Sequence, residues 1–297
     1  MSSVIRARAV RKSYGKGRVA LDGIDFDIAP GRIVGLMGPN GAGKTTALKA
    51  ILGLTPYDGE LSVLGRNPQL ERNALMQDVC FIADVAVLPK WMRVEHALEF
   101  VAGVHPRFDR ERAEAVLAKT TIKRNSRIGQ LSKGMITQLH LALIMAIDAK
   151  LLVLDEPTLG LDLLSRRAFY EALLNDYFDH DRTILVTTHQ VEEVENLLTD
   201  VLLIRDGRIV LDATVDSLAT RYAQVTVPRD RAAEAMALGP FFSREVFGLS
   251  VFIYDIAKGA APTIEQLSAL GELRTPSIAD LFVALLQPAD TAPGSAV

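Results

Sequence analysis

The sequence has one cysteine, no marked excess of either charge and no long apolar run, and each of these absences excludes a class of protein. The single thiol, Cys80, rules out an intramolecular disulfide and suits a reducing compartment. A formal net charge of −3 does not favour a general nucleic-acid binder. We find no charged-then-apolar secretion signal and no run of about 18 apolar residues, so any membrane span has to come from another chain.

The composition is that of a folded chain with a large core. Hydrophobic residues make up 49% of the 297 residues and charged residues 23%, which is typical of globular proteins. The length predicts one main domain and a smaller one. Short apolar runs alternate with helix-period segments, and this order predicts an α/β fold with a mostly parallel sheet and ligand groups at the carboxyl ends of its strands.

A glycine-rich segment carries the clearest chemistry in the chain. It reads G-x-x-x-x-G-K-T and lies between an apolar run at 33–37 and a helical stretch at 45–52. The glycines let backbone N–H groups turn inward around an anion, and the helix start adds unpaired donors. Lys44 is expected to reach the β- and γ-phosphates, and Thr45 to bind Mg²⁺. The predicted phosphate-binding residues are Gly38, Pro39, Asn40, Gly41, Ala42, Gly43, Lys44, Thr45 and Thr46.

Two adjacent carboxylates follow a later apolar run. Asp155 and Glu156 end the predicted buried strand at 151–154, and a proline follows them. Such a pair is also found as an ordinary strand-end charge pair. Downstream of a phosphate loop the catalytic interpretation is favoured, with Asp155 as a Mg²⁺ ligand and Glu156 as the general base for an attacking water.

A histidine and a tyrosine each have two interpretations. His189 ends the apolar run at 183–188, where it either contacts the γ-phosphate or the attacking water, or caps the helix predicted at 190–198. Tyr14 lies in a turn-like segment between two alternating strands, where it either stacks on a nucleotide base or is a surface residue. The residues alone leave both pairs of interpretations open.

Residues 1–215 are predicted to form the main domain, with a helical insert at about 85–128 and an antiparallel β layer near the N-terminus. Its closing elements are predicted as helices at 163–178 and 190–198 and a hairpin at 201–211 that turns at Asp206-Gly207. Residues 216–297 are predicted to form a small α+β domain. Its predicted elements are strands at 225–227, 246–251 and 252–256 and helices at 231–237, 263–269 and 277–286.

A further segment, Leu131-Ser132-Lys133-Gly134-Met135, opens a helix, with Ser132 as a plausible N-cap. Together with Tyr14, the phosphate loop, Asp155-Glu156, Asp162 and His189 in this order, it makes residues 3–215 resemble ATP-binding-cassette (ABC) ATPases. The resemblance implies a P-loop cassette that binds ATP and Mg²⁺.

The resemblance also implies a head-to-tail dimer. In it, Ser132 and Gly134 of one copy contact the γ-phosphate that the other copy holds, Asp162 lies at the dimer seam, and His189 is the switch histidine. The segment departs from the common L-S-G-G-Q pattern at Lys133 and Met135, and a lysine is electrostatically compatible with a phosphate.

A second departure concerns the metal. The family usually has a glutamine that touches Mg²⁺, and the resemblance implies that Asp84 takes its position in this chain. The predicted metal ligands are therefore Thr45, Asp84 and Asp155. A carboxylate at this position adds negative charge near the phosphates, so we expect an altered Mg²⁺ requirement.

The segment 275–282 resembles the end of the ATPase subunits of ABC-2-type exporters. The implied function is the ATP-hydrolysing subunit of an exporter, held at the cytoplasmic face of the membrane by integral-membrane permease subunits and paired with a second copy of itself. No nucleic-acid partner is expected. One alternative is an ABC ATPase that acts on ribosomes or nucleic acid, against which the acidic balance and the single cassette argue. Another is a regulatory protein that binds ATP without hydrolysing it, against which Glu156 and His189 argue.

Overall fold

A computed structural model describes residues 3–15, 17–82, 88–159, 161–179, 181–257 and 261–286. The strands are β1 (Ile5–Tyr14), β2 (Arg18–Ile28), β3 (Ile33–Met37), β4 (Asp58–Val63), β5 (Val79–Ile82), β6 (Leu151–Asp155), β7 (Thr183–Thr188), β8 (Asp200–Arg205), β9 (Arg208–Thr214), β10 (Tyr222–Pro228), β11 (Phe242–Val246), β12 (Leu249–Asp255) and β13 (Glu272–Arg274). The α-helices are α1 (Lys44–Ile51), α2 (Arg72–Leu75), α3 (Val94–Val104), α4 (Arg110–Ala118), α5 (Lys133–Met145), α6 (Leu163–Ala172), α7 (Val215–Arg221), α8 (Ala232–Ala237), α9 (Ile264–Leu270) and α10 (Ile278–Leu286). Within the described ranges no helix combines enough length with enough apolar character to span a bilayer.

A six-stranded sheet in the order β5-β6-β7-β3-β8-β9 forms the centre of the molecule. All neighbouring strands run parallel except β9, which returns antiparallel to β8. β3, β6 and β7 are buried along their whole length, because layers cover both faces of the sheet. This confirms the predicted α/β fold. Since β7 lies between β6 and β3, the phosphate loop, Asp155-Glu156 and His189 all follow neighbouring strand ends.

An antiparallel sheet in the order β2-β1-β4 covers one face of the central sheet. Its apolar side chains share one core with α1 and with Val34, Leu36 and Val153 of the central sheet. The phosphate-loop helix is therefore enclosed between two sheets, which fixes the position of its N-terminus.

The helical insert contains α3 and α4, which pack with α5 around a separate apolar core. Leu98, Leu117 and Leu139 are buried there, one from each helix. The insert thus packs directly on α5, the helix that Ser132 caps.

Two predicted helices differ in the structure. The predicted helix at 163–178 is α-helical only to Ala172 and ends in a π-helical turn, Leu173–Tyr177. The predicted helix at 190–198 is instead two single 3₁₀ turns, Val191–Glu193 and Glu195–Leu197. Apolar residues at helical spacing indicated helical segments, but they did not indicate the wider winding of the π-helical turn or the tighter winding of the two 3₁₀ turns.

The chain after α7 forms a four-stranded antiparallel sheet in the order β11-β12-β10-β13, with α8 and α9 packed against it. The strand predicted at 246–251 is wrong, because Phe247 and Gly248 have positive φ angles of 50° and 80° and form a two-residue hairpin turn. An aromatic residue rarely adopts this backbone conformation, so the apolar run hid the turn.

The C-terminal helix α10 packs against the central core. Ile278 and Leu281 are buried in the same apolar cluster as Leu198 of the central layer. The amide of Ala279 donates to Glu195 at 3.4 Å, in the second of the two 3₁₀ turns that follow His189. α10 therefore contacts the segment that follows His189.

Candidate functional site: a phosphate cleft beside an acidic pair

A cavity of about 690 Å³ opens at the carboxyl ends of the central strands. Residues of the N-terminal hairpin, the phosphate loop, α1 and the β6 and β7 ends surround it. Its lining residues are Tyr14, Arg18, Val19, Ala20, Pro39, Asn40, Gly41, Gly43, Lys44, Thr45, Thr46, Lys49, Glu156, Leu159 and His189. Most of the phosphate-binding residues predicted from the sequence thus share one cavity with the predicted base and histidine.

The last glycine of the loop is required by its surroundings. Gly43 has φ 115°, and a Cβ atom there would lie 2.6 Å from the carbonyl oxygen of Ala20. Gly43 is also the N-cap of α1 and provides no side-chain hydrogen bond. The N-cap residue therefore provides no side-chain hydrogen bond to the first N–H groups of α1. This end of a helix attracts anions.

Lys44 is a buried cation in the cleft. Its ammonium donates to the carbonyl oxygens of Gly38 at 2.6 Å and Pro39 at 3.3 Å, and it lies 4.0 Å from Glu156 Oε1. Burial lowers the pKa of Lys44, while the carboxylates of Glu156 and Asp155 act in the opposite direction. The side chain is thus held across the loop, between the loop carbonyls and the acidic pair.

Thr187 on β7 fixes both members of the acidic pair. Its hydroxyl donates a 2.6 Å hydrogen bond to Asp155 Oδ1 in the buried interior. The amide of Glu156 donates to the carbonyl oxygen of Thr187 at 3.1 Å and approaches its hydroxyl at 3.2 Å. Glu156 has a positive φ of 49°, an unusual conformation for a residue with a side chain, and these bonds hold it in place.

His189 lies against the second carboxylate. Its Nδ1 atom is 2.9 Å from Glu156 Oε2. It is not the N-cap of the following 3₁₀ turn, a position that Gln190 occupies. The geometry therefore places the imidazole with the acidic pair and not at a helix end. A carboxylate that is hydrogen-bonded to an imidazole and lies within 4.0 Å of an ammonium is suited to accept a proton from water beside a phosphate.

Tyr14 lies at the rim of the cleft, at the end of β1. Its ring is 41% exposed, and the ammonium of Lys12 lies 5.0 Å from the ring centroid. An exposed aromatic face beside a phosphate loop is suited to stack on a nucleotide base.

Ser132, Gly134 and Asp162 form a second surface that lines no part of the cleft. Ser132 caps α5 by accepting from the amide of Met135 at 3.2 Å. Asp162 caps α6 by accepting from the amide and hydroxyl of Ser165 at 2.9 and 2.8 Å, and these bonds lower the pKa of Asp162. A Cβ at Gly134 would lie 3.5 Å from the Ser165 hydroxyl, so the two helix starts are neighbours.

The structure adds cleft residues that sequence reasoning missed, among them Arg18 and Lys49. Lys49 is four residues after Thr45 on α1, so helical spacing alone indicates that both share a face. Asp84 lies outside the described residues, and its predicted role as a metal ligand stays a prediction. Within the described ranges, no three His, Cys, Asp or Glu side chains form a metal-binding group.

Comparison with known proteins agrees with this geometry. A family model described as "ABC transporter" matches residues 21–159. A protein of Paraburkholderia xenovorans, "Nod factor export ATP-binding protein I", is 32% identical over 93% of this chain and 94% of its own length. The protein of the same name from Rhizobium johnstonii is also 32% identical, over 93% of this chain and 92% of its own.

Solved structures show the same fold. "Structure of ATP binding subunit of ABC transporter" superimposes with a TM-score of 0.65 and 24% identity over 73% of this chain and 92% of that one. A "bacterial Atm1-family ABC exporter with ATP bound" superimposes with a TM-score of 0.63 and 18% identity over 73% of this chain and 40% of that one. The chain belongs to the family of ABC transporter ATP-binding proteins, the ATPases that drive ABC transport.

Proposed function

We propose that this chain is the ATP-hydrolysing subunit of an exporter, and that two copies close head to tail on two ATP molecules. One observation carries the proposal: Lys44, Glu156 and His189 share a cleft, whereas Ser132 and Asp162 lie on a separate surface that lines no part of it. In the proposed dimer, Ser132 and Gly134 of the second copy complete each cleft, and Asp162 lies at the seam.

In this proposal the residues of one cleft divide the chemistry between them. The loop amides and Lys44 bind the β- and γ-phosphates, and Tyr14 stacks on the base. Glu156 takes a proton from water as the water oxygen bonds to the γ-phosphorus. The bond from that phosphorus to the bridging oxygen breaks, and ADP leaves with the electron pair. His189, hydrogen-bonded to Glu156, orients the carboxylate and contacts the γ-phosphate.

The residues present fit a magnesium ion. Mg²⁺ prefers oxygen ligands and binds through one or two carboxylates together with nucleotide phosphates. Thr45, at the start of α1, and Asp155, at the end of β6, supply a hydroxyl and a carboxylate at the phosphate-loop edge. They would hold the ion with Asp84, and the ion would neutralise charge on the β- and γ-phosphates.

The export direction is supported by the relatives, which are named as export ATP-binding proteins, and by the 275–282 segment. We propose permease subunits as partners, with contact near Asp84 and the insert at 85–128, and a position at the cytoplasmic face of the membrane. We propose residues 1–215 as the ATPase domain and 216–297 as an accessory domain, with no nucleic-acid partner.

Disulfide crosslinking tests the dimer. Asn40→Cys in the phosphate loop and Ser132→Cys are introduced together in a Glu156→Gln chain, which we expect to bind ATP with little hydrolysis. Both positions are exposed. The native thiol does not interfere, because Cys80 is buried and burial raises its pKa to about 12.

The expected product is a covalent dimer that forms with ATP and Mg²⁺ but not with ADP. Chains that carry only one of the two new cysteines are the controls and should stay monomeric. Failure of the double variant to crosslink in ATP contradicts the proposed arrangement.

A further inference from the structure

One arginine connects two segments of the proposed site, the turn before Asp162 and the segment after His189. Arg166, in the first turn of α6, donates from Nε to the carbonyl oxygen of Leu161 at 2.7 Å. Its Nη1 donates to Gln190 Oε1 at 2.6 Å and to the carboxylate of Glu193. One planar side chain thus holds the turn before Asp162 and the segment after His189.

This contact lies in a largely buried polar network. The side chains of Arg166 and Glu193 are only 19% and 16% exposed. The hydroxyl of Thr158 approaches the other oxygen of Glu193 at 3.5 Å and the hydroxyl of Tyr170 at 3.3 Å. Burial raises the pKa of Tyr170 to about 12, so its phenol stays protonated and remains a hydrogen-bond donor.

Both connected segments lead directly to functional groups. The amide of Leu159 donates to the carbonyl oxygen of Glu156, and the amide of Leu161 donates to the carbonyl oxygen of Thr158, so two backbone hydrogen bonds constrain the chain between Glu156 and Asp162. Gln190 directly follows His189 along the chain, and its amide donates to the Thr188 hydroxyl at 2.9 Å.

We propose that Arg166 and Glu193 are positioning residues. Through them, the position of the turn before Asp162 determines the position of His189. The inference rests on the dimer proposed above, in which that turn faces the second copy. Approach of the second copy then fixes the turn, Arg166 carries this constraint to Gln190 and Glu193, and His189 is aligned on Glu156.

The residue type matters at this position. A guanidinium presents several N–H groups in one plane and can serve the Leu161 carbonyl and two side chains together, whereas an ammonium is a single point charge on a flexible stem. Loss of Arg166 also leaves the Glu193 carboxylate largely buried without its cation. Arg166→Lys is therefore expected to restore the charge but not the three-way contact.

Arg166→Met tests the proposal, and Arg167→Met is the matched control. Arg167 is the next residue on α6, is 78% exposed and pairs only with Glu171 among the contacts described for it. We expect Arg166→Met to lower kcat about ten- to a hundredfold, because small misplacements of catalytic groups have effects of this size. The Kd for ADP should change less than about twofold, since ADP carries no γ-phosphate for His189 to contact.

Glu193→Gln gives a second, independent route, which also decides the matter if Arg166→Met does not fold. We expect Glu193→Gln to lower kcat in the same way. The kcat of the double variant should be at most about twofold below that of the slower single variant. The two effects should not multiply, because both residues act through one connection.

The inference is overturned if Arg166→Met and Glu193→Gln keep a kcat within about twofold of Arg167→Met, or if their effects multiply. The inference is also overturned if the Kd for ADP rises by the same factor as kcat falls in these variants. These results differ from failure of the proposed function, in which the Asn40–Ser132 crosslink fails to form in the chain that retains Arg166.

Discussion

His189 Nδ1 lies 2.9 Å from Glu156 Oε2, and the other oxygen of the same carboxylate lies 4.0 Å from the ammonium of Lys44. One carboxylate thus lies between the imidazole of His189 on one side and the ammonium of Lys44 on the other. The three groups come from three neighbouring strand ends, so the sheet itself sets their spacing.

The first prediction concerns this carboxylate. Glu156→Gln removes the proton acceptor but keeps the shape, and we expect ATP turnover to fall at least about a hundredfold, with ATP binding retained. His189→Ala should lower kcat as well, since Glu156 loses its oriented neighbour. His96→Ala, on the exposed face of α3, is the control and should turn over ATP normally. Steady-state phosphate release measures all three variants, and normal turnover by Glu156→Gln contradicts the assignment.

A second prediction concerns Thr187. Thr187→Val keeps the shape but removes the donor to Asp155, and we expect a loss of about 1–3 kcal/mol in the free energy of unfolding. The Mg²⁺ concentration for half-maximal activity should rise about tenfold, because Asp155 loses the partner that orients it.

Thr183→Val is the control for Thr187. Thr183 is equally buried at the other end of β7, where its hydroxyl accepts from the amide of Gly31. It should lose stability with no change in Mg²⁺ dependence. An equal shift of Mg²⁺ dependence in both variants would mean that Thr187 acts only on stability.

Gly43 gives a third prediction. Gly43→Ala adds a methyl group 2.6 Å from the Ala20 carbonyl oxygen at a φ of 115°, so the loop has to move. We expect ADP affinity to fall at least about tenfold, because the loop amides no longer converge on the phosphates. Gly103→Ala, in α3, meets no atom within 4 Å and should leave ADP affinity unchanged. Calorimetric titration with ADP distinguishes the two, and equal affinities count against the loop geometry.

A fourth prediction concerns α10. Leu281 is 0% exposed, and Leu281→Ala should lower the free energy of unfolding by about 2–5 kcal/mol. Leu249→Ala, 44% exposed on β12, should change it by less than about 0.5 kcal/mol. Urea unfolding of the whole chain gives both values, and an unaffected Leu281→Ala chain would mean that α10 does not pack on the core.

The fifth prediction concerns Asp84. The resemblance implies that Asp84 takes the position where the family usually has a glutamine, and on that proposal Asp84→Gln should change the Mg²⁺ dependence of hydrolysis. Titration of activity with Mg²⁺ at fixed ATP measures the effect. An unchanged curve removes Asp84 from the set of predicted metal ligands.

The local motifs were predictable because each couples a strand end to a ligand group. The phosphate loop, Asp155-Glu156 and His189 each follow an uninterrupted apolar run, and parallel strands bring such ends to one edge. The alternation of apolar runs with helix-period segments predicted an α/β fold, and the comparisons confirm that fold.

Contacts between distant segments were not predictable in this way. Arg166 contacts Gln190 and Glu193 across 24 and 27 residues of sequence, and no local spacing indicates that these segments meet. The hairpin turn at Phe247 was hidden because an aromatic residue adopts a left-handed backbone there. Single-sequence patterns report local preference, and tertiary packing overrides it at such positions.

The place of β7 between β6 and β3 has a mechanical consequence. A slip of this strand by one residue would carry His189 about 3.3 Å along the sheet and turn alternate side chains to the opposite face. Thr187 would then face away from Asp155, and the imidazole would lose the carboxylate. The register of β7 therefore determines where Glu156 and His189 lie relative to the phosphate loop.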